Sequence, residues 1–143
     1  MSSSAVLTNP SVERVRAALE RAGMPTEIVE LPGAARTAKA AADFLGCGVA
    51  QIANSLVFRA EASDTAVLVM SSGACRVDLA RLARVLGEPV AKADAEFVRR
   101  HTGFAIGGVA PVGHALSRCS WRKLWRRRVS CGRPRAIRTP CSA

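Results

Sequence analysis

A chain of 143 residues is one domain's worth of sequence; 49% of it is apolar, enough to bury a core, but 4% aromatics and no tyrosine leave that core to Ala, Val and Leu. The formal charge of +10 suggests a nucleic-acid binder until it is divided along the chain: residues 1–115 hold 12 Lys and Arg against 11 Asp and Glu, whereas residues 116–143 hold 9 basic side chains and no acid. The opening residues lack both a basic start and a long apolar run, and no apolar stretch reaches the length of a membrane span, so no secretory leader and no membrane are expected, only a cytoplasmic protein with reduced thiols.

In chain order, Asn9-Pro10-Ser11 starts a helix, with Val12, Val15, Leu19 and Ala22 at spacings of three and four until Gly23 stops it. Thr26 to Leu31 is β-rich and ends at Pro32-Gly33, which predicts a strand entering a loop. Thr37 caps a second, alanine-rich helix from Ala38 to Leu45, closed by Gly46. A short helical turn from Val49 to Ala53 leads into a strand, Ser55 to Arg59. The polar turn Glu61 to Asp64 and a further strand from Ala66 to Met70 complete a hairpin. Asp78 caps a third helix carrying Leu79, Leu82, Val85 and Leu86 on one face, and Asp94 caps a fourth with Phe97, Val98 and His101 inward. Helices and hairpin-linked strands without regular βαβ alternation predict an α+β fold, a mainly antiparallel mixed sheet with surrounding helices.

Gly103 to His114 reads Gly-Phe-Ala-Ile-Gly-Gly-Val-Ala-Pro-Val-Gly-His. Glycine lets main-chain amides approach a ligand and Pro111 fixes φ, so the segment suits a rigid loop presenting N–H groups to an oxyanion or a ribose-phosphate. A glycine-rich turn between two strands fits the same residues. No metal set is expected, because His101 and His114 are the only histidines and the five cysteines (Cys47, Cys75, Cys119, Cys131 and Cys141) are spaced too widely for a Cys-x-x-Cys knuckle. Cys47, after a helix-stop glycine, reads as a small buried residue. His114 is open to two roles, orienting the loop by a main-chain hydrogen bond or touching substrate.

Four runs occur in order: Thr37-Ala38 with Ala41-Ala42 and Leu45-Gly46-Cys47; Gln51 to Arg59; Ser72-Gly73 with Arg76-Val77-Asp78; and Gly107 to His114. In order and spacing they resemble the YbaK/EbsC family, which is similar to the editing domain inserted in bacterial prolyl-tRNA synthetases. The resemblance covers about Val12 to His114. It implies a free-standing aminoacyl-tRNA deacylase that removes a small mischarged amino acid from tRNA, with tRNA for proline the leading substrate, aminoacyl-tRNA and prolyl-tRNA synthetase as partners, and no cofactor. By the same resemblance, Gly107, Gly108 and Asn54 would be catalytic, and Thr37, Ser72, Gly73, Pro111 and His114 would bind substrate. Asn54 stands where characterised editing members often carry lysine, and its neutral amide implies a change of specificity. The chemistry is consistent with a hydrolase lacking a protein nucleophile: no Ser-His-Asp or Cys-His arrangement is evident, and an aminoacyl ester needs a positioned water, oxyanion donors and the substrate's own ribose hydroxyl.

After His114 the family continues through a strand, a tryptophan-containing helix and a final strand. Here residues 116–143 are rich in Arg, Cys, Ser and Pro without a helical or alternating period, so the expected domains are 1–115, the deacylase unit with its C-terminal part incomplete, and 116–143, a basic tail. Two readings of the tail stand open: the product of a reading-frame shift near residue 116 in a GC-rich gene, or a basic arm in which Trp121 and Trp125 stack bases while arginines grip phosphates. The alternative to catalysis is then a non-catalytic RNA-binding protein, or an inactive truncated homologue, using that arm.

Overall fold

The computed structural model describes residues 9–24, 27–31 and 37–114. Helix α1 (Pro10–Arg21) begins where Asn9 Oδ1 accepts the Ser11 N–H at 2.9 Å and Pro10 supplies a helical φ. Helix α2 (Ala38–Leu45) is capped by Thr37 Oγ1, which accepts the Ala40 N–H at 3.1 Å. A short 3-10 turn (Val49–Gln51) follows, its start held by the Gly48 N–H donating to Gln51 Oε1 at 2.8 Å. This turn sets the entry of strand β1 (Ala53–Ala60), which pairs along its whole length with β2 (Thr65–Ser72). Helix α3 (Leu79–Leu86) is capped by Asp78 and helix α4 (Ala95–Thr102) by Asp94, each through a carboxylate oxygen that accepts a main-chain N–H. Each such cap contributes about 1 kcal/mol.

Between α3 and α4 lies β3 (Val90–Lys92), so the sheet order is β2-β1-β3 and both pairs are antiparallel. The hairpin turn holds Asp64 at φ 49°, a left-handed conformation that a short carboxylate tolerates, and Arg59 Nε meets the Asp64 carboxylate at 2.7 Å. Ser63 donates through its N–H and its Oγ to the Glu88 carboxylate, both at 2.9 Å, which ties the hairpin to the α3–β3 connection.

Side-chain alternation divides β1. Phe58 and Ala60 share one face with Val67 and Val69 of β2, and with Leu82 of α3, fully buried, they form one core cluster; Leu56, Val77, Leu79, Leu86 and Val90 pack against it. On the opposite face the Arg59 guanidinium lies 5.3 Å above the Phe97 ring, which brings α4 with its buried Phe97, Val98 and Thr102 to that side. The α+β expectation therefore holds, with four α-helices and a three-stranded antiparallel sheet among the described residues.

Three differences from the sequence reading have physical reasons. Residues 27–31 carry no ladder, although Val29 is exposed between half-buried Ile28 and Glu30: alternation is a side-chain pattern, and a strand also needs its main chain to pair with a neighbour, which residues 27–31 do with no described strand. Strand β3 has no signal in the sequence, because three residues after Pro89 are too few to show a period. The glycine segment follows the C-terminus of α4 and so does not link two described strands; Gly103 ends α4 in a left-handed conformation. The tail and its two tryptophans lie outside the described residues.

Candidate active site

β3 pairs only with Phe58, Arg59 and Ala60, so the first half of β1 has an edge without a ladder partner among the described residues. A cavity of about 840 Å³ opens along that edge. Its floor is β1 from Ala53 to Phe58; one wall is Cys75, Arg76, Val77 and Leu79, and the facing wall is Ile106, Gly107, Val109 and Pro111 from the glycine loop. Ala38, Lys92, Ala93 and Val98 complete the lining.

The geometry brings together Asn54, Gly107 and Pro111, although more than fifty residues of sequence separate the first from the other two. Asn54 reaches the cavity because the 3-10 turn and the bond from Gly73 N–H to Ile52 C=O (2.7 Å) fix where β1 begins. Gly107 sits at φ 81° with open space where a Cβ would stand. Gly108 is outside the lining, and its N–H is directed back to Ala105 C=O at 3.0 Å, closing the tight turn that aims Gly107 toward the cavity.

The remaining candidates stand around this cavity. Thr37 caps α2, whose first residue Ala38 is part of the lining. Ser72 Oγ donates to Ala50 C=O at 2.9 Å and accepts the Ala74 N–H at 3.3 Å, so its hydroxyl ties the end of β2 to the 3-10 turn. Gly73 is a close-packing point: a Cβ there would come within 2.6 Å of Ala38 Cβ and 2.7 Å of Val49 O.

His114 lies at a second groove, of about 490 Å³, with Arg14, Ala17, Glu20, Arg21 and Gly113. Its Nε2 is 2.6 Å from Ala110 C=O; a carbonyl only accepts, so Nε2 carries the proton and the ring closes the loop on itself. The ring stands edge-on to Phe104 at 5.6 Å. Burial holds the His114 pKa below its ordinary 6.5; the bond to Ala110 works against that shift and the Arg14 charge adds to it. Arg14 itself donates to Gly103 C=O at 2.8 Å and covers the Phe104 ring at 4.8 Å, so α1 grips the loop at its start. Gly113 approaches the Arg14 main chain so closely that a Cβ would lie 3.0 Å from its oxygen, so α1 also grips the loop near its end.

The second histidine, His101, stacks on Phe97 and bonds to Phe97 C=O through Nδ1 at 2.9 Å. Neither of these histidine–carbonyl bonds activates a hydroxyl or a thiol. Among the described residues no group of three or more His, Cys, Asp or Glu is arranged for a metal, Cys47 and Cys75 are not joined in a disulfide, and no helix is long and apolar enough to cross a membrane. Lys92, Arg76 and Ile106 line the cavity although the sequence does not mark them as site residues; Lys92 reaches it through the register of β3, which has no local signal.

Known proteins are similar to this chain in sequence and in fold. A candidate trans-editing enzyme for prolyl tRNA synthetase, solved by crystallography, is 49% identical with a TM-score of 0.70, over 76% of this chain and 68% of that one. A hypothetical protein of known structure is 26% identical with a TM-score of 0.65, over 71% of this chain and 67% of its own. The uncharacterized protein YwhH of Bacillus subtilis (strain 168) is 29% identical over 105 residues, 73% of this chain; the chain spans 66% of that relative's length. The model of the aminoacyl-tRNA editing domain matches residues 32–123, more than half of the chain and including both walls of the cavity. The chain belongs to the aminoacyl-tRNA editing domain family.

Proposed function

We propose that the protein is a trans-acting aminoacyl-tRNA deacylase that hydrolyses a small, wrongly attached amino acid from tRNA, with tRNA for proline as its substrate and prolyl-tRNA synthetase as the enzyme whose errors it corrects. The observation that carries the reading is the convergence of Asn54, Gly107 and Pro111 on one cavity in a chain of the editing-domain family. The solved relative described as a candidate trans-editing enzyme for prolyl tRNA synthetase supports the choice of tRNA.

In this reading water attacks the ester carbonyl and the carbonyl oxygen takes up the negative charge of the tetrahedral intermediate. The bond from the carbonyl carbon to the ribose oxygen then breaks, and the proton released by the attacking water ends on that ribose oxygen. The products are the free amino acid and uncharged tRNA. The main-chain N–H of Gly107 donates to the oxyanion; such a donor acts where charge develops and needs no side chain. Asn54 offers amide donors and an acceptor to the amino acid. Pro111 and the His114–Ala110 bond keep the loop in one shape, so that the donor is in place before the reaction begins.

The test is to incubate the full chain with tRNA for proline carrying alanine, serine, cysteine or 2-aminobutyrate. Release of at least one of these faster than in buffer is expected. A folded sample that releases none contradicts the proposal.

A further inference from the structure

The cavity contains two cationic side chains, Lys92 and Arg76, and no Asp or Glu among its lining residues. In a body whose basic and acidic residues nearly balance, a cavity with cations and no acid is a local departure from the surface average. The Lys92 side chain is exposed and forms no hydrogen bond or ion pair among the described residues. Its position follows from the ladder. Lys92 pairs with Phe58, and the antiparallel register puts it on the face of β1 that also carries Leu56 and Asn54. Phe58 and Asn54 are separated by about 13 Å of strand, and the four-carbon stem of lysine spans roughly half of that. Lys92 and the apolar residues Ile106, Val109 and Pro111 line the same cavity, and the lysine stem is long enough to carry its ammonium toward the floor at Leu56. A ligand that satisfies both features joins an anion to an apolar or planar group.

Resting on the deacylase reading, we infer that Lys92 binds the phosphate on the 5′ side of the terminal nucleoside of the RNA substrate, and so positions the ester against Gly107. A lysine ammonium is a compact point charge on a flexible stem, suited to a phosphate and giving no base preference. The contact acts on binding and placement and takes no part in breaking the ester bond.

The direct probe is a pair of small ligands differing only in the phosphate, adenosine and adenosine 5′-monophosphate, titrated into the full chain by NMR. The monophosphate is expected to bind the wild type roughly fivefold more tightly than adenosine, and Lys92→Gln to abolish that difference while Lys92→Arg retains it. With whole uncharged tRNA, Lys92→Gln is expected to reduce the slope of log K against log salt by about 0.7, the value for one phosphate on a single strand. Equal binding of the two ligands by the wild type, or an unchanged preference in Lys92→Gln, overturns the inference. Neither measurement requires hydrolysis. A phosphate preference that depends on Lys92 in a protein that releases no amino acid would uphold this inference and refute the deacylase reading.

Discussion

Gly107 is left-handed with nothing within 4 Å of a virtual Cβ, so alanine there costs backbone strain and meets no clash. Gly107→Ala keeps the N–H but strains a left-handed φ, and relief of that strain turns the amide away from the oxyanion, so the variant is expected to lower kcat by up to about a hundredfold with little change in KM. Single-turnover kinetics would show it, and a change confined to KM would assign Gly107 to binding alone. Asn54→Ala is expected to alter the ranking of amino acids released, measured on the same panel of charged tRNAs; an unaltered ranking would place Asn54 outside the recognition of the amino acid. His114 adds a pH dependence. Its pKa is lowered in the folded protein, so between that lowered value and 6.5 the unfolded chain binds more protons than the folded one. The stability contributed is complete above 6.5 and is lost as the pH falls through that window. Denaturant titrations on either side of it are expected to show the loss, and His114→Gln to flatten it.

The joints between elements give the larger stability effects. Gly73→Ala forces a methyl group onto Ala38 and the Val49 carbonyl where β2, α2 and the 3-10 turn meet, and is expected to cost roughly 2 kcal/mol or more in a denaturation midpoint. Arg14→Ala removes the tie from α1 to Gly103 and the cation above Phe104, a cost of about 2 kcal/mol. Amide exchange across residues 103–114 is expected to quicken in that variant while β1 and β2 keep their protection. The helices are legible in the sequence because their limits are local chemistry: Asn9, Thr37, Asp78 and Asp94 each cap with their own side chain. The hairpin is legible from two β-rich runs about a polar turn. What is not legible depends on distant partners. Residues 27–31 have the alternation and lack the ladder, and β3 is a strand only because β1 offers it three residues of edge. The same holds at the cavity, where Asn54 and Gly107 stand out in the sequence by motif, but Lys92 joins them through register alone.

At the scale of the whole molecule, the net positive charge and the candidate site occupy different parts of the chain. A division at 115/116 follows the charge, whereas the family match runs to residue 123 and the described structure to His114. Removing residues 124–143 leaves the matched region whole and deletes six arginines. If those arginines grip phosphates, the shortened chain is expected to bind tRNA less tightly and with a shallower salt dependence, by about 0.7 to 0.9 in slope for each phosphate no longer held, while its cavity residues remain. A protein that acts only by binding RNA through that arm would lose its affinity and have no hydrolytic rate to preserve. The measurement that separates the two most directly is a single-turnover assay of the full chain, in excess over tRNA for proline charged with alanine. The deacylase account predicts release at least about a hundredfold faster than in buffer, a gain of the size one oxyanion donor supplies. Release at the buffer rate by a folded protein, with alanine, serine, cysteine and 2-aminobutyrate alike, would contradict it.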